Sequence, residues 1–135
     1  MTPTAAETID RIQLLASLSK RTRRKLAEGV MERRYNVGDA LSTVDGDGFG
    51  FFLIAEGTAT VMVNDSPRRT IGPGDYFGEL ALITGEPRSA AIRAGTDMVV
   101  YVIAEHDFKP LVRENPDVAW GLLDLLAHRL RELEV

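Results

Sequence analysis

Tyr76-Phe77-Gly78-Glu79-Leu80-Ala81-Leu82-Ile83-Thr84-Gly85-Glu86-Pro87-Arg88-Ser89-Ala90-Ala91-Ile92 is the stretch on which the reading of this chain turns. A glycine turn leads to a carboxylate and a short apolar helical turn. Nine residues after the carboxylate comes an arginine, set between a proline and small residues. Glu79 can accept hydrogen bonds from a sugar hydroxyl, and the Arg88 guanidinium can fork onto phosphate oxygens. Backbone N–H groups that open the turn at 78–81, and those that follow Arg88, are expected to lack intrahelical partners and to suit an anion. Ala90 and Ala91 are small enough for a ligand to lie against the backbone. These residues together predict a compact site for a sugar and a phosphate, which is the chemistry of a nucleotide.

Outward from this segment the pattern is that of a small β domain with helices at both ends. Thr4 begins a capping-box pattern with Glu7, and Ile9, Ile12, Leu15 and Leu18 follow at helical spacing. Ser19 can cap a second helix running to about Gly29. From Val30 the period changes to short β-branched and aromatic runs at 30–35, 40–43, 51–55, 58–63, 68–71, 90–93 and 98–103. Turn signals separate them at 36–39, 45–50, 56–57, 64–67, 72–75 and 95–97. This spacing predicts an antiparallel sandwich or barrel of the jelly-roll kind. Two helices close the chain, one over about 106–113 and one capped by Asn115 with Pro116 at its first position. On that last helix Val118, Leu122, Leu125 and Arg129 share a stripe, which Leu123, Leu126 and Leu130 broaden.

The chain of 135 residues suffices for one domain with a core of its own. With no cysteine, a disulfide framework, a thiolate metal site and a cysteine nucleophile are excluded, which fits a reducing cytoplasm. No apolar run approaches the roughly 18 residues needed to span a bilayer, and the N-terminus lacks a signal-peptide pattern. A net charge of −4 argues against general nucleic-acid binding. Lys20, Arg21, Arg23, Arg24 and Lys25 crowd together with no interleaved aromatic residue, so they read as a solvated helix face rather than a nucleic-acid patch.

Catalytic readings find little support. A metal-dependent jelly-roll enzyme needs clustered histidines on facing strands, and the two histidines, His106 and His128, fall in separate helical segments. Asp45, Asp47, Gly50 and Glu56 match positions of a calcium loop, but Phe49 stands where an oxygen ligand is required. No serine has a nucleophile-elbow context. The chain is therefore expected not to be an enzyme.

The stretch Phe77-Gly78-Glu79-Leu80-Ala81-Leu82-Ile83, followed by Pro87-Arg88-Ser89-Ala90, closely resembles the phosphate-binding cassette of the cyclic nucleotide-binding domain family. This is the sensor module of catabolite-activator-type regulators, cyclic-nucleotide-dependent kinases and gated channels. The resemblance extends to residues 35–41, to the hairpin 51–61 and to Ile71-Gly72-Pro73-Gly74-Asp75, with the loop at 45–50 a residue shorter than the family's. It implies one domain over 1–135: N-terminal helices to 29, a β-roll over 30–104 carrying the cassette at 76–92, and C-terminal helices over 105–135. By the same resemblance Glu79 meets the ribose 2′-hydroxyl, Arg88 the exocyclic phosphate oxygens, Ser89 and the Ala90 N–H the phosphate, and Val61 the purine. The family's C-terminal helix closes over the base, forms a dimer seam, or does both; Arg129 matches by spacing a base-capping arginine of some channel members. Cyclic AMP is the expected ligand, with cyclic GMP the alternative. Output would pass to an effector protein or domain, or to a second copy through the C-terminal helix. The competing reading is a degenerate roll used only for protein interaction or dimerisation, against which intact Glu79 and Arg88 weigh.

Overall fold

Each end of the chain folds on local signals and its middle on long-range pairing. The computed structural model describes residues 1–41, 50–85 and 91–133. Helix α1 (Ala5–Arg11) opens with a complete capping box: the Thr4 hydroxyl accepts from the Glu7 N–H, and the Glu7 carboxylate accepts from the Thr4 N–H. The helical spacing through Leu18 is not one helix. α1 stops at Arg11, and a 3₁₀ turn over Gln13–Leu15 follows. That break still delivers Ile9, Ile12, Leu15 and Leu18 to a single core. Helix α2 (Lys20–Gly29) is capped by Ser19, whose hydroxyl accepts from the Thr22 N–H.

Among the described residues seven strands follow: β1 (Met31–Tyr35), β2 (Gly50–Glu56), β3 (Ala59–Val63), β4 (Ser66–Ile71), β5 (Tyr76–Phe77), β6 (Ala91–Ala94) and β7 (Met98–Ala104). Helix α3 (Glu79–Thr84) lies between β5 and β6, while α4 (Glu105–Glu114) and α5 (Pro116–Leu133) end the described chain. The strands form two antiparallel sheets, ordered β1-β7-β2-β5 and β4-β3-β6. None of the described helices is long and apolar enough to cross a membrane.

β2 and β7 are buried along almost their whole length. The reason is that both faces of their sheet are covered, so alternate side chains enter different cores. Phe51, Leu53 and Ile103 join the helical layer with Ile9, Phe108 and Val118. Phe52, Ile54, Val100 and Val102 fill the roll with Val61, Ile71 and Phe77. Tyr101 also donates to the Pro3 carbonyl at 2.7 Å, fastening the N-terminus to β7.

Three local expectations change. Of the strand expected at 40–43, Ala40 forms a bridge with Arg93 and the Leu41 N–H donates to the Ile92 carbonyl, while residues 42 and 43 lie outside the described residues. Residues 42–49, and with them most of the calcium-loop pattern and the short loop, lie outside the described residues. The turn expected over 64–67 needs only Asn64 and Asp65, both at positive φ, so that Ser66 already pairs with Val63. The Asn115 side-chain amide donates back to the Leu111 carbonyl, closing α4, while its backbone carbonyl accepts from the Val118 N–H.

Gly57 joins β2 to β3 at φ +87°, where an added Cβ would collide with the Asp97 carbonyl oxygen. Gly57→Ala should therefore destabilise the domain by about 2 kcal/mol or more. Urea unfolding measures this directly, and a change below about 0.5 kcal/mol would mean that the turn relaxes freely.

Candidate functional site

The cassette begins where β5 is pinned to β2. Phe52 and Phe77 lie opposite each other in the register and stack at 4.7 Å with their planes 8° apart. Gly78 then takes φ +99°, a conformation open to glycine and strained for other residues, and turns the chain into α3. Leu82, one turn on along α3 and buried in the helical core, holds the helix in place. Phe77 and Gly78 thus aim Glu79, the first residue of α3, back toward the roll. Leu80 and Ala81 continue α3, their side chains lying outside what is described.

Glu79 is only 3% exposed. A carboxylate at that depth requires a charged or well-hydrogen-bonded partner. Its partner comes from fifty residues away: Arg129 of α5 donates from Nη1 to Glu79 Oε1 at 2.7 Å. The Arg129 side chain retains 28% of its exposure, so the pair sits at the edge of the interior. The sequence placed Arg129 as a candidate cap for the base; in the structure its guanidinium meets the carboxylate of the cassette.

Two further groups share the field of this pair. Arg69 on β4 stands opposite Val61 on β3, and directly opposed residues present their side chains on the same face. Burial lowers the proton affinity of Arg69, as does the positive charge of Arg129, while Glu79 and Asp75 act in the opposite sense. The Tyr76 phenol is pushed up, first by burial and next by the negative charge of Glu79. The sequence motif by itself assigns no site role to Arg69 or Tyr76. The register opposite Val61 is the only signal for Arg69, and it exists only once the hairpin is paired.

Val61 is buried inside the roll. Arg88, Ser89 and Ala90 lie outside the described residues. What the described part offers is a carboxylate with acceptor capacity beyond one bond, flanked by Arg129 and Arg69 and backed by an apolar interior. That arrangement has the chemistry to accept a hydroxyl and to attract an anion. His106 and His128 each lie beside an aspartate of their own helix, Asp107 and Asp124. Among the described residues no group of three potential metal ligands occurs.

Comparison with known proteins agrees with this geometry. The model of the cyclic nucleotide-binding domain family matches residues 32–115. A cAMP-dependent protein kinase regulatory subunit of Aspergillus niger is 33% identical over 112 residues, covering 82% of this chain and 27% of the relative. A cyclic nucleotide-gated potassium channel of Rhizobium etli is 37% identical over 93 residues, 69% of this chain and 23% of the channel. The solved structure of PKAR CBD2 with bound Sp-2Cl-cAMPS superposes with a TM-score of 0.79 at 27% identity, covering 96% of this chain and 89% of that one. The chain thus spans about a quarter of the length of these two sequence relatives.

Removing Arg129 strands a buried carboxylate. Because the pair is partly open to water, Arg129→Ala should cost about 1–3 kcal/mol, less than for a fully enclosed pair. Glu79→Gln in the same chain should recover part of that loss. A double-mutant cycle by urea unfolding should give a coupling of about 1 kcal/mol or more, and strict additivity would show that the bond contributes nothing.

Proposed function

Because this chain belongs to the cyclic nucleotide-binding domain family, we propose that it senses a cyclic nucleotide, cyclic AMP, and transmits binding to its last helix. The observation that carries this reading is the Glu79–Arg129 bond, which ties the carboxylate of the cassette to α5. Glu79 accepts from the ribose 2′-hydroxyl, and Arg88 forks onto the phosphate oxygens. The Ser89 hydroxyl and the Ala90 N–H complete the oxygen shell. Phe77, Gly78, Leu80 and Ala81 shape the turn that presents Glu79, and Val61 forms the apolar wall beside the purine. Similarity to the cAMP-dependent kinase regulatory subunit and to the cAMP-analogue complex supports cyclic AMP over cyclic GMP.

Arg129 acts through Glu79 rather than by stacking on the base. A ribose hydroxyl donating to the same carboxylate changes what Arg129 is offered, so ligand entry shifts the population of docked and released α5. The role is one of binding, within a single domain over 1–135 that acts in the cytoplasm. Its effector is a protein or domain beyond this chain, or a second copy meeting it through α5. The exposed apolar residues of α5 support a protein contact there: Trp120, Leu123 and Leu130 are 69%, 55% and 57% exposed, beside the face that buries Val118 and Leu122.

Calorimetric titration with cyclic AMP tests the phosphate assignment. Arg88→Leu should weaken binding about 30- to several-thousand-fold, with the unliganded melt close to wild type. Affinity within about threefold of wild type would remove Arg88 from the site and favour the interaction-only roll.

Hydrogen exchange tests the coupling. Ligand should slow the amides of residues 122–131 in the wild type and leave them unchanged in Arg129→Ala, whose affinity should fall about 2- to 30-fold. Wild-type protection confined to α3 and the segment after it would dissociate α5 from sensing.

A further inference from the structure

α2 carries charge that runs against both its own helix and the rest of the chain. Lys20, Arg21, Arg23, Arg24 and Lys25 lie within six residues of a chain whose net charge is −4. Arg23 turns inward toward Asp10, 3.5 Å away. The other four are exposed, and among the described residues none of them forms an ion pair. Elsewhere on the surface Arg34 and Lys109 do find carboxylates, at 3.0 Å from Glu32 and 2.7 Å from Glu105. Lys20 and Arg24, like Arg21 and Lys25, stand four residues apart, so like charges face each other along one side of the helix. Cations also occupy the first turn of α2, where the helix dipole favours anions and no acidic residue is present. Both arrangements oppose the helix, and an acidic partner would relieve both.

A groove of about 240 Å³ runs beside this face, between α2 and α4. Leu26, Pro110 and Leu111 give it an apolar floor, and Lys25 belongs both to its rim and to the cationic face. Its volume is below the roughly 300 Å³ at which small-molecule pockets begin, so it suits one or two side chains rather than a metabolite. Asp107 and Glu114 stand on the α4 wall, which directs the acids of any occupant to the α2 side. None of these residues belongs to the Glu79 site.

The geometry points to a docking site for an acidic amphipathic segment of another protein, its carboxylates on the α2 cations and a bulky apolar side chain in the groove. An exposed cationic face of this kind steers a partner and sets its register, and its contribution falls as salt is added.

A displayed library of helix-forming peptides of about 15 residues, the average helix length in proteins or slightly above it, tests the proposal. Peptides selected on the wild-type domain should be enriched in acids four apart beside a bulky apolar residue. By fluorescence anisotropy they should bind the Arg21→Glu/Arg24→Glu variant about tenfold more weakly or worse, through like-charge repulsion. High salt should weaken the wild-type complex, and the NMR shifts it causes should fall on α2 and α4. The variant places acids in the early turns of α2, which the dipole favours, so it should melt no lower than wild type. The proposal is overturned if selection shows no acidic enrichment, if the variant binds equally, or if the shifts fall on α5. Tighter binding to phosphatidylserine vesicles or to duplex DNA than to the selected peptides would overturn it as well.

Discussion

A carboxylate buried to 3% exposure at the start of α3 governs how the two ends of this molecule meet. Glu79 is held inward by its own segment, through the Phe52–Phe77 stack, the left-handed Gly78 and the anchoring of Leu82. Once there, it requires a cation, because an unpaired charge at that depth is among the most destabilising defects a fold can contain. Arg129 supplies the cation from α5. The bond ties the last helix to the cassette, so under the proposed reading a ligand that shares that carboxylate would favour the docked helix.

The remainder of the fold supports this arrangement in two layers. The roll interior gives the site a dry apolar wall, while the helical layer gives α5 a bed formed with Ile12, Leu15 and Phe108. β2 contributes to both layers, Phe52 on one face and Phe51 on the other. Phe51 stacks on Phe108 of α4 at 4.7 Å and meets the Tyr76 ring at 4.9 Å. A displacement of β5 is thus felt at once by the cassette and by the helix preceding α5. Interiors packed at this density switch between discrete arrangements rather than deforming smoothly.

The surface divides along the same lines. The proposed nucleotide contacts lie on β3 and in and around α3, exposed apolar residues lie on α5, and a dense cluster of cations lies on α2. α2 and α5 both pack on the helical core, so a partner seated on α2 and a ligand at Glu79 would bear on one packed layer.

What could be read without coordinates was local or dense in motif. The Thr4–Glu7 box and the Ser19 cap worked because each satisfies its own helix end within three residues. The family was legible because Phe77-Gly78-Glu79-Leu80-Ala81-Leu82-Ile83 with Pro87-Arg88-Ser89-Ala90 resembles its phosphate-binding segment, and the family model matches residues 32–115. The antiparallel roll followed from short β-rich runs between turns. Only tertiary structure decided the rest. Tyr76 and Phe77 pair as a strand because β2 offers them an edge, and Ala40 makes a bridge to Arg93. The helical spacing of Ile9 to Leu18 hid a change to 3₁₀ geometry, since both geometries can carry those side chains to the same core. Arg129 was found on the correct helix stripe, but its partner stands fifty residues away, and spacing within a helix cannot say which buried carboxylate an arginine will meet.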